Sequence, residues 1–133
     1  MEGIRVLLVD DEDDFRETLV KRLNRRNLDV SGAESGGKAL QLIDQYGYDV
    51  IILDVKMPGM DGIETLREIK KRKPFIEVIM LTGHASVESG IEGMRLGAFD
   101  YLMKPCDINN LVLKVGDAYQ RKLNQEGVAG LGN

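Results

Sequence analysis

Apolar and polar positions along this chain follow two different periods. Nearly unbroken apolar runs occupy Ile4–Val9, Leu28–Ala33, Asp49–Leu53, Glu77–Leu81 and Ala98–Met103. The first, third and fourth are dense in Val, Ile and Leu, which is how strands buried on both faces read. The second is more polar, as expected of an edge strand. Between the runs, apolar residues recur every three or four positions: Phe15, Leu19 and Leu23; Ala39, Leu42 and Ile43; Ile63, Leu66 and Ile69; Val87, Ile91 and Met94; Leu111, Val115 and Ala118. Each set gives a helix one face to lay on a sheet. A single set can arise by chance, but five in strict alternation with strands argue for strand–helix units.

The punctuation agrees. Pro58-Gly59 precedes the third helical stretch, Gly83 and Ser86 precede the fourth, Gly97 follows it, and Pro105 and Asp107 open the fifth. Right-handed crossovers between such units predict an α/β fold, a doubly wound five-stranded parallel sheet with five helices on its two faces. We expect one domain over residues 1–124, with 125–133 a flexible tail or the start of a linker. Gly127-Val128-Ala129-Gly130-Leu131-Gly132-Asn133 has neither periodicity nor bulk.

Composition narrows the class. A chain of 133 residues can bury a core without staples. Its single cysteine, Cys106, allows no internal disulfide and reads as a small hydrophobe at a helix start. No basic segment leads into a signal-like apolar stretch, and no run is long enough to span a bilayer. A soluble, cytoplasmic domain is expected. With 18 basic and 22 acidic residues, the balance disfavours direct nucleic-acid binding by this domain.

The chemistry sits at the strand ends. Asp10 and Asp11 follow the first run, Asp54 the third and Thr82 the fourth; Lys104 and Pro105 follow the fifth. In an open parallel sheet these ends converge on one crevice, the usual ligand site. Carboxylates within about 4 Å of one another repel by roughly 4 kcal/mol per pair at an effective dielectric near 20. Such a cluster needs a cation, a proton or a lysine. Mg2+ takes hard oxygen ligands, one or two carboxylates plus phosphate oxygens and water. The inventory therefore suits phosphoryl transfer onto a carboxylate: Asp10 and Asp11 for the metal, Asp54 as nucleophile, Lys104 against the equatorial oxygens and Thr82 as a neutral donor.

The segments VDDEDDF, VIILDVKMPGMDG, VIMLTGHAS and AFDYLMKP resemble the response-regulator receiver domain of two-component signalling, from Ile4 to about Leu123. The resemblance implies a CheY-like, flavodoxin-like sheet in the order 2-1-3-4-5. It also implies that Asp54 is the phospho-acceptor and Asp11 the direct Mg2+ ligand, with Asp10 assisting, partly through water. The backbone carbonyl of Lys56 would be a further ligand. Thr82 and Tyr101 would form the switch pair, Lys104 would bind the phosphate, and Lys104-Pro105 would be a cis peptide bond. The donor would be a sensor histidine kinase or phosphotransfer protein, and the target an output domain or effector protein; a phosphorylation-dependent homodimer is a further option.

Lys56 and His84, each two residues past a site residue, would flank the phosphoryl group and tune water access; the alternative is that both are plain loop residues. On phosphorylation Thr82 is expected to move toward the new oxygens and Tyr101 to turn inward, reshaping the surface of the fourth helix, fifth strand and fifth helix. Three other readings share parts of this pattern. A Mg2+-dependent aspartyl phosphohydrolase would carry a second Asp where Lys56 stands. A flavin mononucleotide module would not place Asp10, Asp11, Glu12, Asp13 and Asp14 against a phosphate. A receiver that only binds partners is disfavoured because no key position is replaced.

Overall fold

Valine, isoleucine and leucine at consecutive positions send side chains to alternate sides of a strand, so a run of them is stable only where both faces are covered. The computed structural model describes residues 3–55, 61–83 and 87–131, side chains at 87–89 and 128–131 excepted. Its strands are β1 (Arg5–Val9), β2 (Asp29–Ala33), β3 (Val50–Asp54), β4 (Glu77–Thr82) and β5 (Asp100–Met103). Its helices are α1 (Asp13–Asn24), α2 (Gly36–Gln45), α3 (Gly62–Arg72), α4 (Val87–Arg95) and α5 (Ile108–Leu131). All strand pairs are parallel and the order is β2-β1-β3-β4-β5, a flavodoxin-like α/β fold.

The alternation divides the core in two. Leu7, Val9, Ile51, Leu53, Val78 and Met80 face one side, where Ala39, Leu40 and Ile43 of α2 and Leu66 and Ile69 of α3 cover them. Val6, Leu8, Val50, Ile52, Ile79 and Leu81 face the other, beneath Leu19 and Leu23 of α1 and Leu111, Val115 and Ala118 of α5. Side-chain oxygens cap helix starts: Ser35 accepts from the Lys38 amide, Asp61 from the Glu64 amide and Asp107 from the Asn109 amide.

Two expectations need correction. Ile91 and Met94, read as the sheet-facing stripe of α4, are 51% and 43% exposed. The helix instead turns Gly90 and Gly93 inward. A Cβ at Gly93 would lie 2.2 Å from the sulfur of Met80, so the large residue sits on the strand and the small one on the helix. Second, α5 continues through Leu131, so residues 125–131 are helical rather than irregular. Arg121, Lys122, Leu123, Gln125 and Glu126, which lead into that stretch, are good helix formers, and Lys122 pairs with Glu126 one turn on at 2.9 Å.

Candidate phosphoryl-acceptor site

The carboxyl ends of β1, β3, β4 and β5 bring the strand-end residues together. Asp10 is 0% exposed and Asp54 3%, while Asp11 is exposed. One carboxylate oxygen from each of the three lies within 4.8 Å of the others. The arrangement depends on backbone ties between neighbouring strand ends. The Asp10 amide donates to Ala33 O (3.0 Å), that of Val55 to Leu81 O (3.0 Å), and that of Lys104 to Thr82 O (2.7 Å). The first turn of α3 presses on the end of β3: a Cβ at Gly62 would lie 2.5 Å from Val55 Cα and 2.6 Å from Asp54 O. Only glycine admits that approach.

Lys104, joined to Pro105 by a cis peptide bond, reaches into the cluster. Its Nζ donates to Asp10 Oδ2 at 2.7 Å and lies 3.6 Å from Asp54 Oδ2 and 3.7 Å from Glu12 Oε1. It also sits 4.3 Å from the centre of the Phe15 ring. Burial alone lowers a lysine pKa; here the hydrogen bond to Asp10 and the charges of Asp10, Asp54 and Glu12 more than offset it. The ammonium therefore titrates above its ordinary range. One ammonium against three carboxylates still leaves net negative charge.

Thr82 ends β4 with its Oγ1 buried and without a hydrogen-bond partner among the described residues. Buried hydroxyls are ordinarily paired, and this one ends the strand next to β3, whose last residue is Asp54. Together with three hard carboxylate donors, this donor set fits a divalent cation and a phosphoryl group. Tyr101 is 43% exposed and lines a groove of about 410 Å3 with Gly90, Ile91, Met94 and Arg95. Cys106 is half-buried, and burial pushes its thiol above the usual range. Lys56 and His84, with Met57, Pro58, Gly59, Met60 and Ser86, lie outside the described residues. Three neighbours escaped the sequence reading as parts of the site: Glu12, Phe15 and Arg16. Phe15 reads only as one member of an apolar stripe, and a single arginine or glutamate on a helix carries no local signal.

The acidic cluster of this doubly wound parallel sheet lies at its carboxyl edge, where folds of this class bind their ligands. The chain belongs to the response regulator receiver domain family, whose model matches residues 6–116. It is 40% identical over 116 residues to the regulatory protein AtoC of Escherichia coli, covering 87% of this chain and 25% of that protein. It is 36% identical over 119 residues to the DNA-binding transcriptional regulator NtrC of Klebsiella pneumoniae, covering 90% and 25%. Among solved structures, a receiver domain protein of Clostridium thermocellum superposes with a TM-score of 0.87 at 35% identity, covering 91% of this chain and 98% of that one. The chain thus spans about a quarter of the length of these curated relatives. The family is that of the receiver domains of response regulators, and the chain is a signalling module of that kind.

Proposed function

We propose that Asp54 accepts the phosphoryl group. A carboxylate oxygen of Asp54 forms a bond to phosphorus as the P–N bond of a kinase phosphohistidine breaks, its electron pair leaving with the imidazole, which takes up a proton. The observation that carries this reading is the meeting of Asp10, Asp11 and Asp54 within 4.8 Å, beside a buried Thr82 hydroxyl with no described partner. Mg2+ held by Asp10, Asp11 and Asp54, and by the Lys56 carbonyl that the resemblance adds, would supply positive charge against the phosphoryl oxygens. Both Asp10 oxygens already accept hydrogen bonds, from the Glu12 amide and from Lys104. That favours an assisting, water-mediated role for Asp10 and direct ligation by Asp11.

Lys104 neutralises the transferred group and Thr82 donates to it; Tyr101 then turns in and the α4-β5-α5 surface changes. The domain catalyses only its own phosphorylation and dephosphorylation, with Lys56 and His84 tuning water access. Its partners are a sensor histidine kinase or phosphotransfer protein and an output domain or effector. It acts in the cytoplasm, without direct contact to nucleic acid or membrane. Among the described residues no helix is long and apolar enough to cross a membrane. Residues 1–124 form the receiver, and 125–133 serve as a tail or the start of a linker.

Acetyl phosphate with Mg2+ tests the acceptor. Intact mass should rise by one phosphoryl group that hydroxylamine removes and that Asp54→Asn abolishes. Unchanged labelling of Asp54→Asn would refute the assignment.

A further inference from the structure

The loop carrying Asp10 and Asp11 is held from one side by an arginine to which no role has been given so far. Arg16 on the first turns of α1 reaches back, donating from Nη1 to the Asp10 carbonyl at 2.7 Å and from Nη2 to Asp13 Oδ1 at 2.8 Å. One guanidinium thus spans the turn from the first residue after β1 to the first residue of α1. Its side chain is 14% exposed. Burying a long cation that far is costly unless the contacts it makes are used.

The rest of the neighbourhood is arranged around this fork. Arg16 passes over β2 at Gly32, where a Cβ would stand 3.1 Å from its Cδ and 3.2 Å from its Cγ. A larger residue there would push the fork off the Asp10 carbonyl. Glu12 at the N-cap makes no side-chain capping bond, so the fork supplements the bond from the Glu12 amide to Asp10 Oδ1 in holding this turn. With Arg16 in place, every polar group of Asp10 is engaged. Its amide donates to Ala33 O, its Oδ1 accepts from the Glu12 amide, its Oδ2 from Lys104 and its carbonyl from Arg16.

We infer that Arg16, seated on Gly32, is a positioning residue for the divalent-cation site: it sets the Asp10–Asp13 loop in its ion-receiving conformation before the ion arrives. The inference rests on the proposed reading of Asp10, Asp11 and Asp54 as that site. It has a consequence opposite in sign to simple electrostatics. Removing a cation near a cation site should tighten metal binding through lost repulsion. Removing a residue that preorganises the ligands should weaken it, as loss of outer-sphere support commonly does by about 10–100-fold.

Isothermal titration of the whole chain with MgCl2 decides between these. Arg16→Met should weaken Mg2+ binding about tenfold. Arg16→Lys, which keeps the charge but not the fork, should fall between wild type and Arg16→Met. Gly32→Val should reproduce the loss with Arg16 intact, and Arg16→Met/Gly32→Val should be no worse than Arg16→Met alone, because both act through one contact. Backbone amide exchange at Asp11–Asp13 in metal-free protein should quicken in each weakened variant. Equal or tighter Mg2+ binding by Arg16→Met, with Asp11→Asn still losing the ion, would overturn the positioning role and leave the site assignment standing. Mg2+ binding unaffected by Asp11→Asn would remove the site assignment and, with it, the inference.

Discussion

At residue scale, Thr82 trades stability for readiness. A buried hydroxyl without a partner costs about 1–3 kcal/mol relative to a satisfied one, and Thr82 Oγ1 is in that state among the described residues. Valine has nearly the same shape and nothing to satisfy. Thr82→Val should therefore raise the unfolding free energy of the unphosphorylated domain by about 1 kcal/mol in urea titrations. It should also blunt the conformational response to phosphorylation, read as smaller amide shifts at Tyr101. A destabilised Thr82→Val variant would mean that the hydroxyl already has a partner. Thr82, Asp10, Asp11, Asp54 and Lys104 are all legible in the sequence because each ends or follows an apolar run, and strand position is a local signal. Phe15 under Lys104 and Glu12 beside it were not. Their contacts cross between elements that periodicity identifies but does not orient.

At the scale of elements, the end of β3 and the start of α3 are coupled through Gly62. A methyl group there meets backbone atoms, Val55 Cα at 2.5 Å and Asp54 O at 2.6 Å, which have no rotamer to retreat into. Gly62→Ala should cost about 2 kcal/mol, within the usual range for overpacking. It should also slow acetyl-phosphate labelling of Asp54 by at least tenfold, since a displaced nucleophile loses alignment. A variant with wild-type stability and rate would show that the two elements separate freely. The same close packing explains why α4 was misread. A 3.6-residue stripe marks the sheet-facing side only when large residues fill the interface from the helix. On α4 the strand supplies the bulk through Met80, Gly90 and Gly93 turn inward, and the apolar Ile91 and Met94 are left exposed. The reach of α5 to Leu131 leaves no stripe for a different reason: Arg121, Lys122, Gln125 and Glu126 favour helix and Lys122 pairs with Glu126, but Leu123, Asn124, Gln125 and Glu126 are exposed, so no apolar periodicity marks the extension.

Across the whole molecule, charge is placed at both ends of the sheet. Opposite the acidic crevice, Glu77 opens β4 fully buried, paired with Lys70 of α3 at 3.2 Å and with Arg121 of α5. Arg121 in turn lies over the Phe99 ring at 4.7 Å. The sequence showed Glu77 only as the polar first residue of an apolar run, because its partner Arg121 stands far along the chain. Lys70 also donates to Pro74 O and Ile76 O. Its burial, and then the like charge of Arg121, bring its pKa down from 10.5 to about 8. Glu77 opposes that shift, but its carboxylate is shared with Arg121. Between pH 8 and 10.5 the unfolded chain therefore holds the Lys70 proton more often than the folded one. Stability contributed by this group then rises with pH across that window and is flat below it. Lys70→Met has no such proton and should lack the slope. The difference in unfolding free energy, wild type minus variant, should grow by about 1 kcal/mol per pH unit from pH 8 to 10 and stay level from pH 6 to 7.5. Parallel curves over the alkaline range would mean that Glu77 holds the Lys70 ammonium firmly and that burial at this end of the sheet costs it nothing.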